Sequence, residues 1–319
     1  MYARQIFNGG VTCHAIAIAD RVGVFDALEE HGSLRISDWG GDRSKAPLAA
    51  VMSLLREASI VTESGSGVFT PGPAFADCVS RKALFTWFFH ASASVLISGP
   101  DLIREVIASP PARDGALIGS TMGDLGRRHI DKALFSMVSW RDFECVLDVG
   151  CGDASRLQRI TERFGINGVG LELSEAALRA ARDRLNEGSS SLALVQGDAL
   201  AMDFDKALRD RVDILIMSLL AHDLLPEKRA ADTLHMWKTR LPNLKRMLIC
   251  ETVRADEGLK GLSVEVPQLG YEFLHSLMGI EVETDATWRR IFSASGWELV
   301  QTTKLDVPSN TMVYVCDRS

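Results

Sequence analysis

The stretch Val146-Leu147-Asp148-Val149-Gly150-Cys151-Gly152-Asp153-Ala154-Ser155 begins as an apolar run and ends in a glycine turn. Gly150 permits a sharp bend, and Gly152 lets a ligand approach the backbone, because neither residue carries a Cβ. Ser155 can cap the helix that the sequence predicts from Ser155 to Phe164. The stretch therefore predicts a strand, a ligand-binding turn and a helix in succession.

An acidic residue ends the next apolar run of the chain. Glu172 follows Gly168-Val169-Gly170-Leu171, in the place where a nucleoside-binding α/β unit puts an acid on the ribose hydroxyls. The third glycine of a dinucleotide fingerprint would fall at position 155, where this chain has Ser155. This departure disfavours a pyrophosphate ligand.

The glycine turn resembles motif I of the S-adenosylmethionine-dependent methyltransferases. In that family the acid before the glycines and the turn backbone hold the methionine moiety, and the acid after the second strand holds the ribose. A Gly-Asp pair after the third strand holds the adenine. The resemblance implies S-adenosyl-L-methionine as the cofactor, held by Asp148, Gly150, Gly152, Glu172, Asp198 and Ala199.

Apolar, strand-like runs alternate with helical segments in the second half of the chain. The runs are Val146–Val149, Val169–Leu173, Leu192–Val195, Ile214–Leu219 and Met247–Thr252. The alternation predicts a parallel, doubly wound sheet. Two final runs, Glu298–Leu305 and Met312–Cys316, follow each other without a helix, like the antiparallel hairpin that closes the sheet in the family. The predicted fold is therefore α/β, with a Rossmann-like class I methyltransferase sheet in a catalytic domain at 141–319.

Residues 1–80 are predicted to form a separate, mainly helical domain. Apolar residues recur at helical spacing over Ala15–Glu29 and Leu48–Ala58, and a short β-hairpin follows before residue 71, in a winged-helix-like order. The segment Ala19–Leu28 resembles the N-terminal dimerisation domain of small-molecule O-methyltransferases, which implies a homodimer. The remaining residues, 81–140, are predicted to be linking helices that line the substrate cavity.

Composition and charge argue against several classes of protein. The chain has 319 residues and a net charge of −7, and its Lys and Arg residues form no basic stripe, which disfavours a nucleic-acid partner. Its six cysteines show no C-x-x-C spacing, which predicts reduced thiols in a cytoplasmic protein. The longest apolar run, Ala83–Gly99, is broken by polar residues and predicts a buried helix rather than a membrane span.

The loop after the fourth predicted strand carries His222 and Asp223. Ligands of open α/β sheets bind beyond the carboxyl ends of the strands, so this loop is the place to look for catalysis. In one hypothesis His222 is a general base that takes a hydroxyl proton, as in plant-type O-methyltransferases. In the other, His222 and Asp223 are two of three metal ligands.

His275 is the candidate for the third ligand. It lies in the segment Gly270-Tyr271-Glu272-Phe273-Leu274-His275-Ser276-Leu277-Met278-Gly279. Two histidines and one carboxylate leave positions on a metal open for a bidentate substrate. Together with His222 and Asp223, this segment resembles the corresponding motifs of the metal-dependent α-keto-acid C-methyltransferases. The resemblance to that family extends over most of the chain. The resemblance implies that His222, Asp223 and His275 are both metal ligands and catalytic residues.

The same resemblance implies a reaction. The enzyme would methylate the β-carbon (C3) of an α-keto acid through a metal-chelated enolate, in amino-acid or antibiotic biosynthesis, with iron favoured and zinc as the alternative. A metal-free small-molecule O-methyltransferase with His222 as base stays open. Arg113, Ser92 and Trp87 are candidate substrate-binding residues, and Arg113 matches a family position near the substrate carboxylate.

The substrate stays open among phenylpyruvate, branched aliphatic keto acids and 2-ketoarginine. A guanidinium tail would need a carboxylate in the cavity, and Asp114, Glu265 and Glu272 lie in segments that could supply one.

Overall fold

The computed structural model describes residues 2–65, 67–185, 191–202, 205–254 and 266–319. The chain divides into two compact units, Met1–Ala93 and Ser94–Ser319. The finer division of the chain at residues 80 and 140 stays a prediction.

The first unit combines helices with a small antiparallel sheet. Its helices are α1 (Tyr2–Arg21), α2 (Val24–His31), α3 (Asp42–Glu57) and α4 (Phe75–Thr86), and its strands are β1 (Leu34–Arg35), β2 (Val61–Ser64) and β3 (Val68–Pro71), in the sheet order β1-β3-β2. The predicted hairpin is confirmed as β2 and β3. The predicted helix over Ala15–Glu29 is divided in two, because the backbone turns at Gly23 with φ 81°. Two-residue β1 was missed, since so short a strand has no readable alternation.

The apolar run at Ala83–Gly99 is not one buried helix, as the sequence predicted. Helix α4 ends at Thr86 and a π-helical turn follows, in which the Ser92 amide donates to the Trp87 carbonyl (3.1 Å). A short helix, α5 (Ala93–Ile97), comes next, and the side chain of Ile97 is exposed. No helix in the described ranges is long and apolar enough to cross a membrane.

The second unit contains a seven-stranded mixed sheet flanked by helices. The strands are β4 (Cys145–Val149), β5 (Asn167–Glu172), β6 (Leu192–Gln196), β7 (Ile214–Ser218), β8 (Arg246–Thr252), β9 (Trp297–Leu305) and β10 (Thr311–Arg318). The helices are α6 (Gly99–Ile103), α7 (Gly115–Leu125), α8 (Asp131–Ser136), α9 (Ser155–Phe164), α10 (Glu175–Leu185), α11 (Lys206–Arg209), α12 (Glu227–Arg240), α13 (Val266–Leu277) and α14 (Asp285–Ala294).

The sheet order is β6-β5-β4-β7-β8-β10-β9. The first five strands in that order are parallel, and β10 runs antiparallel to both β8 and β9. The predicted parallel sheet and its closing hairpin are thus confirmed. Since parallel strands end at one edge, the loops after β4, β5, β7 and β8 meet there and can build a common site.

Both faces of the central strands are buried, which explains their nearly continuous apolar sequence. Leu147 and Val149 of β4 face one layer of the core, which includes Trp237 and Trp288. Val146, the residue before Leu147, faces the other layer together with α9. Successive side chains of a strand point to opposite faces, so Asp148 lies on the same side of β4 as Val146.

Candidate active site

The glycine turn after β4 is tightly enclosed. Gly150 has φ 71° and Gly152 has φ 55°, in the left-handed region. A Cβ on Gly150 would lie 2.5 Å from Cδ2 of Leu220, and a Cβ on Gly152 would lie 3.0 Å from Cα of Gly119 in α7. Both positions therefore require glycine for conformation and for space.

The predicted capping role of Ser155 is wrong. Ser155 is the first residue of α9, so its own amide is one of the donors that a cap must satisfy. Oδ1 of Asp153 accepts from that amide at 3.0 Å. The Ser155 hydroxyl is buried and has no hydrogen-bond partner among the described residues.

Glu172 joins the glycine turn to the loop after β5. Its Oε2 accepts from the Gly152 amide at 3.0 Å, and its Oε1 accepts from the Ser174 amide at 2.8 Å. A carboxylate offers about four acceptor positions, so these two bonds leave capacity for ribose hydroxyls. The glycine turn thus holds Glu172 in place, next to the predicted nucleoside site.

Two adjoining cavities open at this edge of the sheet. The larger, of about 430 Å³, is lined by α7, the glycine turn, Glu172 and the loop after β7. The smaller, of about 260 Å³, is lined by Glu172, Asp198, Ala199 and Leu200. Volumes of this order suit small-molecule ligands. Five of the six predicted cofactor residues line these cavities: Gly150, Gly152, Glu172, Asp198 and Ala199.

The sixth predicted cofactor residue, Asp148, lies beneath the turn rather than in a cavity wall. Its side chain is buried, and neither carboxylate oxygen has a hydrogen-bond partner among the described residues. Burial raises the pKa of Asp148 to about 7, although the nearby Arg156 guanidinium opposes the shift. Arg156 itself lines the larger cavity and donates from Nε to Asp131 at 2.8 Å.

His222 lies in a single 3-10 turn, Ala221–Leu224, directly after β7. Its ring is buried, and both its backbone amide (3.1 Å) and its Nδ1 (3.0 Å) face Oε2 of Glu251. Burial lowers the pKa of His222, but the Glu251 carboxylate more than offsets this, so the pKa is raised overall. Glu251, fully buried at the end of β8, thereby fixes the orientation of the imidazole.

Two further donors converge on Glu251. Its Oε1 accepts from the Thr252 amide at 2.8 Å and from the Tyr271 hydroxyl at 3.0 Å. With the amide and Nδ1 of His222, the carboxylate accepts four hydrogen bonds. Both oxygens of this buried carboxylate are therefore satisfied by hydrogen bonds.

His275 projects from α13 towards His222. Its Nδ1 donates to the Tyr271 carbonyl at 2.7 Å, and its Nε2 lies 3.1 Å from Nε2 of His222. Burial and the neighbouring His222 lower the pKa of His275 to about 2. The acceptors beside both Nδ1 atoms assign a proton to each of them, which leaves a lone pair on each of the two neighbouring Nε2 atoms. Such an arrangement requires a cation between the rings, which is either a proton or a metal ion.

Asp223 is close to this pair but makes no hydrogen bond to either histidine. Its Oδ1 is 3.7 Å from Nε2 of His222, and its partly exposed side chain lines both cavities. Among the residues that the structure describes, no three His, Cys, Asp or Glu side chains converge closely enough to hold a metal ion. The structure therefore brings the two predicted histidines together and leaves the predicted third ligand outside the contact.

The two imidazoles nevertheless fit a metal ion. Nitrogen ligands at about 2.1 Å from one ion lie about 3 Å apart when they are adjacent in its coordination shell. The Nε2 atoms meet that condition at 3.1 Å, and each opposite Nδ1 has the acceptor that orients metal-bound histidines. His222, His275 and, after a small movement, Asp223 are the residues that could hold iron or zinc.

The candidate substrate residues are placed differently. Arg113 lines the larger cavity, where burial lowers the pKa of its guanidinium and the charge of Asp223 opposes that change. Trp87 and Ser92 are buried within the first unit, and their role towards the substrate stays a prediction.

The structure describes two of the three acids that could bind a guanidinium tail of the substrate. Asp114 caps α7 by accepting from the Leu117 amide at 3.0 Å. Glu272 is half-buried on α13, and Glu265 lies outside the described residues.

Glu251 and Tyr271 are site residues that the sequence reading missed. A signal existed for each: Glu251 is an acid that directly follows the apolar run Met247–Cys250, near the end of the strand next to β7. Tyr271 precedes His275 by four residues, which places both on one face of a helix.

Comparison with known proteins agrees with this geometry. Residues 146–242 match the family described as "Methyltransferase domain". The chain is 26% identical to an indolepyruvate C-methyltransferase of Streptomyces griseus, covering 96% of this chain and 92% of that protein. It is 23% identical to methyltransferase ungE' of Aspergillus campestris (strain IBT 28561), covering 97% and 95% of the two chains.

The fold matches solved structures over the full length. Human N-acetylserotonin methyltransferase in complex with SAM aligns with a TM-score of 0.72 and 14% identity, covering 100% of this chain and 97% of that one. The glycine turn, the acids around the cavities and these comparisons lead to one conclusion: the chain is an S-adenosylmethionine-dependent methyltransferase with the class I, O-methyltransferase-like fold.

Proposed function

We propose that this enzyme methylates C3 of an α-keto acid and that a metal ion, iron or zinc, binds between His222 and His275. The observation that carries the proposal is the 3.1 Å approach of the two Nε2 atoms, each with its Nδ1 directed at an acceptor. The relative named indolepyruvate C-methyltransferase, similar over nearly the whole chain, supports a keto acid as the substrate class.

The metal would supply one kind of chemistry. When bound, it acts as a Lewis acid that stabilises negative charge on the enolate oxygen of the keto acid. His222 and His275 would be its nitrogen ligands, and Asp223 is the carboxylate beside them on the cavity side.

The other residues bind and orient the reactants. The glycine turn, Glu172 and Asp198 surround the space for the nucleoside of the cofactor. Arg113, in the wall of the same cavity as Asp223, can pair with the substrate carboxylate through two parallel hydrogen bonds. In the transfer, C3 loses a proton to water as the enolate forms, and the new bond from C3 to the methyl carbon replaces the bond from that carbon to the cofactor sulfur, which releases S-adenosylhomocysteine. The step depends on holding the nucleophilic carbon and the methyl group in line.

The substrate tail and the assembly are finer parts of the proposal. We include aryl-pyruvates, branched aliphatic keto acids and 2-ketoarginine as candidates, and a role in amino-acid or antibiotic biosynthesis. A homodimer through the first unit is supported by apolar side chains that α1 exposes. These are Tyr2, Ile6 and Phe7, each more than 70% exposed.

One observation favours a second function, metal-free O-methylation. The Glu251 carboxylate holds Nδ1 of His222 and raises the pKa of this histidine, as an orienting acid does for a general base. In that case the cation between the rings is a proton, donated from Nε2 of His222 to Nε2 of His275.

The two functions predict different results for His275→Ala. We would purify the wild type, His275→Ala and the exposed control His235→Ala without chelator, measure bound metal, and assay labelled S-adenosylmethionine with keto acids and phenols. We expect about one metal per chain and label in a keto acid for the wild type and the control, and neither for His275→Ala. The proposal would be contradicted if the purified wild type carried no metal and if the wild type and His275→Ala methylated a phenol equally well.

A further inference from the structure

Tyr271 contacts both histidines and also Glu251, the acid that orients His222. Its hydroxyl lies 3.0 Å from Nδ1 of His222 and donates to Oε1 of Glu251 at 3.0 Å. Its backbone carbonyl accepts from Nδ1 of His275 at 2.7 Å. One residue thus reaches the outer nitrogen of each imidazole, on the side opposite to the facing Nε2 atoms.

The hydroxyl contact completes a closed set of hydrogen bonds. Nδ1 of His222 faces Oε2 of Glu251, and the Tyr271 hydroxyl bridges between this nitrogen and Oε1. Without the hydroxyl, Oε1 would keep only the Thr252 amide, and the imidazole would keep one of its two neighbours at Nδ1. The ring could then rotate about its χ2 angle more freely, because fewer contacts fix its plane.

The carbonyl contact follows from the helix geometry. Tyr271 and His275 are four residues apart on α13, so their side chains lie one above the other. Their ring centroids are 4.0 Å apart, which leaves the His275 ring little room to turn. The same helical turn therefore sets the direction of both imidazoles.

We infer that Tyr271 is the positioning residue that keeps both Nε2 atoms directed at one point, through its hydroxyl for His222 and through its carbonyl and ring for His275. The inference rests on the proposed function in so far as that point is a metal site. Tyr271 needs no contact with the substrate or the cofactor in this role.

The test removes the hydroxyl and leaves the carbonyl and ring. We would titrate metal-free Tyr271→Phe with Co(II) and follow the visible absorption of the bound ion. Loss of a group that orients a metal ligand costs about 10–100-fold in metal affinity, and we expect a weakening in this range. The affinity for S-adenosylmethionine should stay unchanged, and kcat for the keto acid should fall more than its KM changes.

The chain offers a matched control in Tyr314→Phe. The Tyr314 hydroxyl is also in a buried region and donates to a carboxylate, Asp285, at 2.8 Å. Both variants lose a hydroxyl that donates to a carboxylate, so the melting temperature of each should fall, whereas only Tyr271→Phe should bind Co(II) more weakly.

Two results would overturn the inference, and they can be told apart. If the wild type binds Co(II) and Tyr271→Phe binds it equally tightly, Tyr271 does not position the pair, while the proposed function stands. If the wild type takes up no Co(II), the metal site itself is absent, and both proposals fail together.

Discussion

The two sides of the active-site edge are built in different ways. On the cofactor side, the site is largely backbone: a glycine turn, enclosed by Gly119 and Leu220, and acids at strand ends that bind backbone amides. On the histidine side, the site is made of buried side chains from three separate elements, which are the turn after β7, the end of β8 and α13.

This difference in construction predicts how each side of the site responds to amino-acid substitution. A backbone site depends on conformation and space at a few positions, and two of its acids, Glu172 and Asp198, line the cavities, whereas Asp148 is buried. A buried polar network is costly to break, because each donor or acceptor left without a partner keeps its desolvation cost. The histidine side should therefore respond to substitution in both activity and stability, and the cofactor side mainly in ligand affinity.

The largest effect is expected on the histidine side, at Glu251. Glu251→Ala leaves four buried donors without their acceptor, and we expect a loss of about 3–5 kcal/mol in the free energy of unfolding together with loss of methyl transfer. Urea denaturation would measure it. The control is Glu281→Ala, which removes an exposed acid paired with Arg254, and such a pair contributes at most about 1 kcal/mol. Equal stability of the two variants would contradict the account.

The next effect is expected on the cofactor side, at Glu172. Glu172→Ala removes a charged acceptor worth about 1.5–3 kcal/mol, so the affinity for S-adenosylmethionine should fall about ten- to hundredfold. Calorimetric titration would show it. Glu175→Ala, an exposed acid on α10 paired with Arg179, should bind the cofactor normally. A Glu172→Ala variant that also lost bound metal would show that the two sides are not independent.

The smallest effect is expected for Gly152→Ala. The left-handed backbone costs an alanine about 1–2 kcal/mol, and the added Cβ meets the backbone of Gly119 as well. Gly165→Ala is the control, because Gly165 has φ 70° at the end of α9 but open space around its Cα. We expect both variants to lose stability and only Gly152→Ala to lose affinity for the cofactor. Equal cofactor affinity would show that the close approach at Gly119 does not shape the site.

The contrast between a backbone site and a network of side chains also explains which features could be predicted from the sequence. The strands follow from apolar runs that are buried on both faces, and every predicted strand of the large sheet matches an observed one to within about two residues at each end. The glycine turn and Glu172 are local signals, since a ligand-binding turn needs particular residues at fixed spacing. The predicted cap at Ser155 failed because α9 begins at Ser155 itself, and Asp153, two residues earlier, accepts from the Ser155 amide.

The histidine side was predictable only in part. His222 and His275 were singled out, and the structure places their Nε2 atoms 3.1 Å apart. Glu251 and Tyr271 each had a local signal, but they were missed because their contacts with His222 form only when β7, β8 and α13 come together. The gap of 3.7 Å between Asp223 and His222 likewise depends on side-chain packing rather than on sequence spacing.

The measurement that tests the central claim most directly is the position of the transferred methyl group. The enzyme would be incubated with S-adenosylmethionine carrying a ¹³C-labelled methyl group, in the presence of keto acids and hydroxyl-bearing acceptors, and the product examined by NMR. The account predicts that the labelled carbon is bonded to C3 of a keto acid. A labelled carbon bonded to oxygen, with no keto acid methylated, would contradict it.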